Sequence, residues 1–464
     1  MKKLGIGFWV MVSVFCFLMD RVEAGTATYQ PETNTIVIEG TIKATPEMPA
    51  LAWIAKNLTG TTPNKDFTKH IYIAHNLPAL PGYDTAHPKD DNVDITFCFP
   101  SLPEGDVYGK DFVVYVDGVD ISKTHQVVEV PPISKYQVQV NPHTGAIRFY
   151  PTDVPKGKVT LSYKKTVLSY DPSTKTAILG ANLEIRGVLE MGIADGSYQP
   201  MNYINPTTKG KPDEILKMEK HCRILNYGIL IANESELDNV SFANVAKNDN
   251  YKFVRCKLSH INGFLMSTFT KVYFEDCEIS NFSKITSDPW NTWDSAVVSI
   301  TGCAIHDGEE VLYAYHPGAK MIIRDNLIYD CKRGFHLLAA KLEIINSLAD
   351  NNIVKAYKGR SSMLTVKWWL TIKVVDEKGN PIPNRRLVIK CFNKMGDTEY
   401  SGVKVTDKNG EVKIALTEKV YKDGTDPAHT TVYTPHTISI RSGTFKEKTE
   451  VRMNDNNTIT LCIK

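Results

Sequence analysis

One short segment of the sequence combines two kinds of side chain found together in sugar-binding and sugar-cleaving sites. The segment SKITSDPWNTWDSAV carries Asp288, Trp290, Trp293 and Asp294. Tryptophan rings can stack on sugar rings, while two carboxylates can bind a cation or act in catalysis. The alternative is that the tryptophans pack this loop onto the strands beneath it and the aspartates cap turns. Both interpretations place the segment in a surface loop.

Polar side chains also recur at regular intervals along the chain. We expect the recurring set to line one corner of a folded repeat, either because that corner faces water or because it borders a functional groove. The set consists of Asn244, His260, Asn281, Asp307, Asp330 and Lys355. Further groups that could do chemistry stand close to it in the sequence: His306, Glu309, Glu310, Tyr313, Tyr315, His316, Lys332, Arg333 and His336.

These intervals follow an internal repeat between residues 235 and 356. Six segments align, starting at Leu237, Phe253, Phe274, Ile300, Ile323 and Leu348. Three residues after each start stands one column of side chains: Val240, Cys256, Cys277, Cys303, Asn326 and Asn351. A period of roughly 20–25 residues with one short β-rich segment per repeat is typical of a solenoid. Because coils stack about 4.8 Å apart, the column should form an internal ladder.

The repeat favours a β-solenoid over other repeat folds, because neither a leucine-rich pattern nor a helical period is present. Ile38 to Ile42 and Ile185 to Leu189 share an I-x-G-x-aliphatic pattern and predict two earlier coils. Alternating strands at 105–168 then predict a small antiparallel β-sandwich inserted between these coils, although a long decorated loop is the alternative.

The stretch IRDNLIYDCKRGFHL and its neighbours resemble the parallel β-helix repeat of pectate-lyase-like secreted proteins. The resemblance implies a right-handed parallel β-helix with its site in a groove on the outer face. Lyases of this fold remove the proton α to a uronate carboxyl group, with a calcium ion held by acidic residues and an arginine or lysine base. By this analogy, Ca²⁺ ligands are expected at Asp294, Asp307 and Asp330, the base at Arg333 or Lys332, and substrate contacts at Trp290, Trp293, Tyr315 and His316.

The sequence departs from the well-known enzymes of this fold. It has neither the paired aspartates with flanking motifs of polygalacturonases nor the Arg-x-Pro-x-x-Arg pattern of pectate lyases. The same coil serves enzymes, adhesins and structural proteins, so the fold does not imply a reaction.

Downstream of the repeat, the pattern LTIKVVDEKGNPIPNRRLVIKCF changes the expected architecture. With Asp376, Gly379, Pro381 and Gly410, it resembles the carboxypeptidase-regulatory-like, transthyretin-like β-sandwich. That resemblance implies an Ig-like spacer or attachment module without catalysis. The predicted organisation is a signal peptide at 1–24, an N-terminal cap with the first coils at 25–104, the insertion at 105–168, the β-helix at 169–367 and the C-terminal β-sandwich at 368–464.

Composition narrows the possible partners. The 464 residues include 54 basic and 52 acidic side chains, a formal charge of +2. This near-neutral charge argues against nucleic acid or an anionic membrane surface as a partner.

The N-terminus has the pattern of a secretory signal. Lys2 and Lys3, an apolar stretch and Val22-Glu23-Ala24 predict a cleaved signal peptide and therefore export. Eight cysteines follow Ala24, too few for a disulfide-stapled fold. Cys391 and Cys462 could pair or remain two separate buried thiols.

The leading hypothesis is a secreted or cell-surface protein that binds extended extracellular polysaccharide, with cleavage by a lyase or hydrolase mechanism left open. The rival is a non-catalytic structural or adhesive protein that uses the solenoid as a rod. Neither hypothesis requires a transmembrane segment in the mature chain, because no later apolar run is long enough to span a membrane.

Overall fold

The computed structural model describes most of the chain downstream of Ala24. The described residues are 25–30, 33–60, 69–78, 95–98, 112–121, 124–128, 134–141, 146–149, 159–196, 210–219, 222–243, 250–262, 264–265, 270–287, 296–315 and 320–463. The predicted signal peptide at 1–24 lies outside this part of the chain.

The N-terminal part contains a first coil, a cap helix and antiparallel strands. Its elements are β1 Thr26–Gln30, β2 Thr35–Glu39, β3 Thr41–Lys43, α1 Ala50–Asn57, β4 Lys69–Pro78, β5 Ile95–Cys98, β6 Phe112–Val116, β7 Val119–Asp120, β8 Gln126–Val128, β9 Gln137–Asn141, β10 Ala146–Phe149 and β11 Val159–Asp171. Helix α1 buries Leu51 and Ile54 against the end of the solenoid core. The helix therefore shields the first coil from water.

The following part winds as stacked coils of short strands. The strands are β12 Thr176–Leu179, β13 Asn182–Ile185, β14 Val188–Met191, β15 Ile215–Met218, β16 Arg223–Asn226, β17 Ile229–Asn233, β18 Glu236–Asp238, β19 Ser241–Ala243, β20 Asn250–Val254, β21 Lys257–Ser259, β22 Phe264–Leu265, β23 Lys271–Glu275, β24 Glu278–Ser280, β25 Lys284–Ser287, β26 Val297–Thr301, β27 Ala304–His306, β28 Glu310–Tyr315, β29 Lys320–Arg324, β30 Leu327–Tyr329, β31 Arg333–Leu338, β32 Lys341–Ile345, β33 Ile353–Lys355 and β34 Met363–Val375.

Each coil contributes one strand to each of three parallel faces. The first face runs β3-β14-β17-β20-β23-β26-β29-β32-β34, and the second runs β12-β15-β18-β21-β24-β27-β30. The third face consists of β2-β13-β16-β19 and β22-β25-β28-β31-β33. Inward side chains of all three faces form one apolar core, so each coil needs its neighbours to bury its apolar surface.

The two earlier coils lie where the sequence pattern places them. Ile185 pairs with Ile38, and Leu189 pairs with Ile42, although they are far apart in sequence. At the corner between these strands, a Cβ atom on Gly187 would lie 1.9 Å from the carbonyl oxygen of Gly40. Only glycine therefore permits this close stacking of backbones.

The predicted internal ladder is present in the central coils. Cys256, Cys277 and Cys303 are buried in a file in which the backbone N–H of one residue faces the side chain of the next, with 3.5 and 3.4 Å between nitrogen and sulfur. The Oδ1 atom of Asn326 continues the file by accepting from the N–H of Cys303 at 2.9 Å. These four segments align as the repeat predicts.

The first and last of the six predicted segments are wrong. Leu237 pairs with Leu258 and not with Phe253, whose partner is Ala232. At the other end, Ser347 accepts from the N–H of Asn326 at 3.1 Å, so it occupies the ladder position expected for Asn351. The error arose because similar apolar spacings recur at several corners of the coil, while coil lengths vary.

Strands that pair mostly antiparallel interrupt the solenoid between the first two coils, although β8 pairs with β9 in parallel. Strand β11 pairs with β4 and β6 and also with β12, and strands β5, β10, β9 and β8 form a second sheet. These sheets include β4 and β5, which precede residue 105. The insertion is thus attached by a continuous strand to the second face.

The C-terminal part is a β-sandwich that shares a strand with the solenoid. Its remaining strands are β35 Arg386–Phe392, β36 Thr398–Val405, β37 Glu411–Lys422, β38 Thr430–Val432, β39 His436–Ser442, β40 Phe445–Val451 and β41 Asn457–Cys462, with a 3-10 turn at Pro427–His429. Strand β34 pairs in parallel with β32 and antiparallel with β37 over most of its length. The strand is continuous across the boundary expected between residues 367 and 368, and its register with β37 shifts between Val366 and Lys367.

The described residues confirm the predicted fold class: an all-β chain with a right-handed parallel β-helix, an inserted β-sandwich and a C-terminal Ig-like β-sandwich.

The two cysteines of the C-terminal part do not form a disulfide. Cys391 and Cys462 are separate free thiols, but Cys462 is exposed and not buried as expected. Its position on the outer side of β41 explains the difference, because alternate residues of a strand face opposite sides. Within the described ranges, no helix is long and apolar enough to cross a membrane.

Candidate functional site

The recurring polar column is a consequence of the backbone at one corner. His260, Asn281, Asp307 and Asp330 follow second-face strands and all adopt positive φ angles between 51° and 54°. Asn, Asp and His tolerate this left-handed conformation better than most residues. The turn itself therefore accounts for polar residues at this corner.

The column prediction is wrong at its two ends. Asn239, with φ 56°, follows strand β18 as the other members follow theirs, whereas Asn244 lies outside the described residues. Lys355 is the last residue of β33 on the third face. Both shifts repeat the misalignment of the first and last coils.

Two of the three predicted calcium ligands, Asp307 and Asp330, lie in the described part of the chain, at the corner after the second face. The Oδ2 atom of Asp307 lies 2.7 Å from Nδ1 of His306, which occupies it in a side-chain hydrogen bond. Among the described residues, no group of three or more His, Cys, Asp or Glu is arranged to hold a metal ion. Asp294 lies outside those residues. The calcium site therefore stays a prediction.

His306 is held on the second face between two carboxylates. Its Nε2 atom lies 3.5 Å from Oε1 of Glu278, and its ring stacks on that of Tyr329 with centroids 4.9 Å apart. The nearby Glu278 carboxylate, opposed by burial and assisted by Asp307, raises the pKa of His306 above its usual value. The charged imidazolium is thus favoured at this position.

Five side chains from three adjacent coils come together on the third face. They are Lys284 on β25, Glu310 and Tyr313 on β28, and Arg333 and His336 on β31, and we call them the cationic cluster. Register explains the grouping, because Glu310 pairs with Lys284 on one side and with Arg333 on the other. Tyr313 is likewise the register partner of His336.

Glu310 is the centre of the cationic cluster. Glu310 is only 2% exposed, and Oε1 of its carboxylate lies 2.8 Å from Nδ1 of His336. Nζ of Lys284 lies 3.3 Å from Oε2, and Nη1 of Arg333 lies 3.7 Å from Oε1. A buried carboxylate needs such partners to offset its lost hydration. Because Lys284 and Arg333 remain about half exposed, the cluster presents positive charge to solvent.

An aromatic ring lies within the same group. The rings of Tyr313 and His336 meet edge to face with centroids 4.8 Å apart, and Nζ of Lys284 lies 5.3 Å from the Tyr313 centroid. A half-buried ring beside the Lys284 ammonium group provides an apolar surface next to charge. This combination suits an anionic ligand that also has an apolar face.

The predicted catalytic residues are adjacent on the third face. Arg333 belongs to the cationic cluster, whereas Nζ of the exposed Lys332 pairs with Oε1 of Glu309 at 2.8 Å. An arginine side chain stays protonated in proteins. A protonated arginine can bind a carboxylate but cannot accept a proton. Arg333 therefore suits substrate binding better than the role of a base.

The predicted substrate contacts are only partly described. Tyr315 ends strand β28 and is buried against Tyr357, with ring centroids 5.0 Å apart. Trp290, Trp293 and His316 lie outside the described residues. Their expected roles stay predictions.

Sequence reasoning assigned no role to Lys284 or Glu310. A signal for them exists, because Lys284, Glu310 and Arg333 each stand seven residues after a ladder position, Cys277, Cys303 and Asn326. Ser287, Tyr313 and His336 follow the same spacing three residues further on. Extending the ladder register to every position of the coil would have predicted the cationic cluster.

Comparison with known proteins supports the fold and leaves the chemistry open. Residues 220–367 match a family model described as a right-handed β-helix region. This match covers less than half of the chain. It therefore shows a similarity of residues 220–367 to that family and nothing about the rest of the chain. No curated protein and no solved structure matches the sequence.

Proposed function

We propose that the third face binds an acidic polysaccharide of the uronate type. The observation that carries this proposal is the register of Lys284, Glu310 and Arg333 on three consecutive coils. Two half-exposed cations flank one buried carboxylate, so a net positive charge remains for a ligand. Carboxylates of a polymer can bind the guanidinium in the bidentate geometry that arginine favours.

The aromatic part of the cluster supports a sugar ligand over a simple anion. Tyr313 offers a ring next to Lys284, and pyranose rings carry apolar C–H faces that pack on aromatic side chains. The solenoid stacks such groups about 4.8 Å apart along its axis. An extended polymer can therefore touch several coils at once. This proposal includes export of the protein to the compartment where such polymers occur.

Retention on immobilised polygalacturonate and alginate, with a neutral glucan as reference, tests this function. We expect retention on the acidic polymers only, and its weakening with salt because exposed charges are screened. Lys284→Ala and Arg333→Ala should each weaken binding roughly tenfold, equivalent to about 1.4 kcal/mol. Lys320→Ala and Arg324→Ala, at exposed positions of β29 on the first face, are the matched controls.

Two results would contradict the proposal: no retention of the unmodified protein, or equal losses in the cluster variants and the controls. The second candidate function, a rigid structural or adhesive protein, would then lead. It is favoured by strand β34, which joins the solenoid and the C-terminal sandwich in one continuous sheet.

A further inference from the structure

One sheet of the C-terminal sandwich has an outer side that is exposed to solvent. This sheet runs β36-β35-β39-β40. In strand β35, Leu387, Ile389 and Cys391 are buried, whereas the residues that alternate with them are exposed except for the last one. Because alternate residues of a strand face opposite sides, one side of this sheet packs into the sandwich core and the other side faces solvent.

The strand register brings five cations to the solvent side of this sheet. Arg441 on β39 pairs with Lys446 on β40. In the next row, Ser439 pairs with Lys390 on β35 and with Lys448 on β40. Residues that pair directly across antiparallel strands share one side of the sheet. Together with three valines, the cations form a surface that we call the outer sheet face: Arg386, Lys390, Arg441, Lys446, Lys448, Val388, Val403 and Val405.

The positive charge of the outer sheet face is not neutralised by the described part of the chain. None of the five cations forms an ion pair there. By its register with Thr437, Glu450 lies on the same side of the sheet at the far end of β40. Glu447 belongs to the opposite side, because its partner is the buried Ile440. Among the described residues of these strands, the cations therefore outnumber the carboxylates on this side.

The three valines lie among the cations. Val388 pairs with Val403, and Arg386 pairs with Val405. The valines are between 40% and 56% exposed, so they are available to a partner. A soluble polyanion makes no use of apolar side chains, whereas a bilayer interface presents anionic headgroups next to hydrocarbon. The composition of this face favours a lipid surface over a charged polymer.

The dimensions of the outer sheet face suit a broad partner. Four strands and the distance from Arg386 to Lys390 along β35 give a surface of roughly 14 Å in both directions. A sheet is a continuous, gently twisted surface, so cations on three of its strands can approach one plane together. Electrostatic attraction then acts on several charges at once.

We propose that the outer sheet face docks this protein onto the surface of an anionic lipid bilayer. The five cations lie against phosphate-bearing headgroups, and the valines enter the boundary between headgroups and acyl chains. The formal charge of +2 predicts no such partner, because a sum over the whole chain does not show where its charges lie. The inference is independent of the polysaccharide site, since the two faces share no residue.

Co-sedimentation of the protein with vesicles tests this docking. Vesicles of phosphatidylcholine with one third phosphatidylglycerol are compared with vesicles of phosphatidylcholine alone. We expect binding to the anionic vesicles only, and its weakening with salt because exposed charges are screened. The double change Lys446→Gln with Lys448→Gln should weaken binding roughly thirtyfold, at about fivefold for each basic residue near an anionic surface.

Matched variants separate the docking from general charge effects. Lys378→Gln with Lys413→Gln removes the same charge at exposed positions outside the outer sheet face and should leave vesicle binding within about twofold of the unmodified protein. Val388→Thr with Val403→Thr keeps every charge but should weaken vesicle binding, because hydroxyl groups resist transfer out of water. The valine variant should bind soluble polyphosphate as the unmodified protein does.

Three results would overturn the proposal. The first is equal binding to neutral and anionic vesicles, and the second is an equal loss of binding in the two lysine variants. The third is unchanged vesicle binding in the valine variant, which would indicate a soluble polyanion as the partner instead. All variants should unfold at the same urea concentration as the unmodified protein, so that loss of binding is not confused with loss of fold.

Discussion

Backbone conformation at single residues explains much of the polarity that first suggested a groove. Asp307 and Asp330 occupy left-handed positions at the corner after the second face. An alanine or a branched residue is strained there, whereas Asp, Asn and His are tolerated. A polar column on a β-helix is therefore weak evidence for a metal site until its side chains are shown to converge.

His306 shows how a single residue links charge to stability. Its pKa is raised in the folded protein by the Glu278 carboxylate and by Asp307, relative to the ordinary value of 6.5. Because the histidine pKa is higher in the folded than in the unfolded protein, the protein takes up a proton when it folds at a pH between the two values. The stabilisation is complete below 6.5 and is lost as pH rises through the folded pKa.

We therefore predict that His306→Gln lowers the free energy of unfolding by about 1 kcal/mol in acid, as expected for a partly exposed ion pair, and by less at alkaline pH. Urea unfolding at several pH values measures this difference. His429→Gln, at an exposed position beside β38, is the control variant. A constant loss at all pH values would contradict the ion-pair account of His306.

At the scale of an element, the internal ladder of buried Cys and Asn side chains shows most directly how successive coils are aligned. The side chain of Asn326 accepts from the N–H of Cys303 and donates to the carbonyl oxygen of Ile300, both at 2.9 Å. Cysteine at the neighbouring positions fills the same small site and contacts backbone through sulfur. The amide therefore satisfies buried backbone groups that would otherwise lack a partner.

Asn326→Ala should lower the free energy of unfolding by about 3 kcal/mol, because unpaired buried polar groups cost about 1–3 kcal/mol each. Asn351→Ala is the comparison, since the sequence pattern assigned Asn351 to the same ladder. It is exposed with φ 53°, and its replacement should cost only about 1 kcal/mol of backbone strain. Equal losses in the two variants, measured by urea unfolding, would show that the ladder is misassigned.

At the scale of the whole molecule, strand β34 connects the solenoid to the C-terminal sandwich. Its N-terminal half pairs with β32, most of its length pairs with β37, and its C-terminal half pairs with β41. Nε1 of Trp369 also donates to Oδ1 of Asp325 in the solenoid at 2.7 Å. The sandwich thus covers the edge of the first face, which would otherwise be open to pairing with other chains.

Leu370→Ala should lower the stability of both parts together. Leu370 is fully buried on β34, and a leucine-to-alanine change in a core costs about 2–5 kcal/mol. Hydrogen exchange should therefore accelerate in β32 of the solenoid as well as in β37 of the sandwich. Ser401→Ala, at an exposed position of β36, is the control. Faster exchange confined to β37 would show that the two parts unfold independently.

The sequence by itself determined the coil, its approximate period and the two β-sandwiches, because these depend on local patterns: apolar residues that alternate inward, small residues in the ladder and turn residues at corners. Central segments such as those around Cys277 and Asn326 aligned correctly for this reason. Only the tertiary structure decided that Lys284, Glu310 and Arg333 meet, and that Tyr357 folds back on Tyr315. Residues on adjacent coils are far apart in sequence, and their register depends on loops of unequal length. The contacts that define a site are therefore set by stacking.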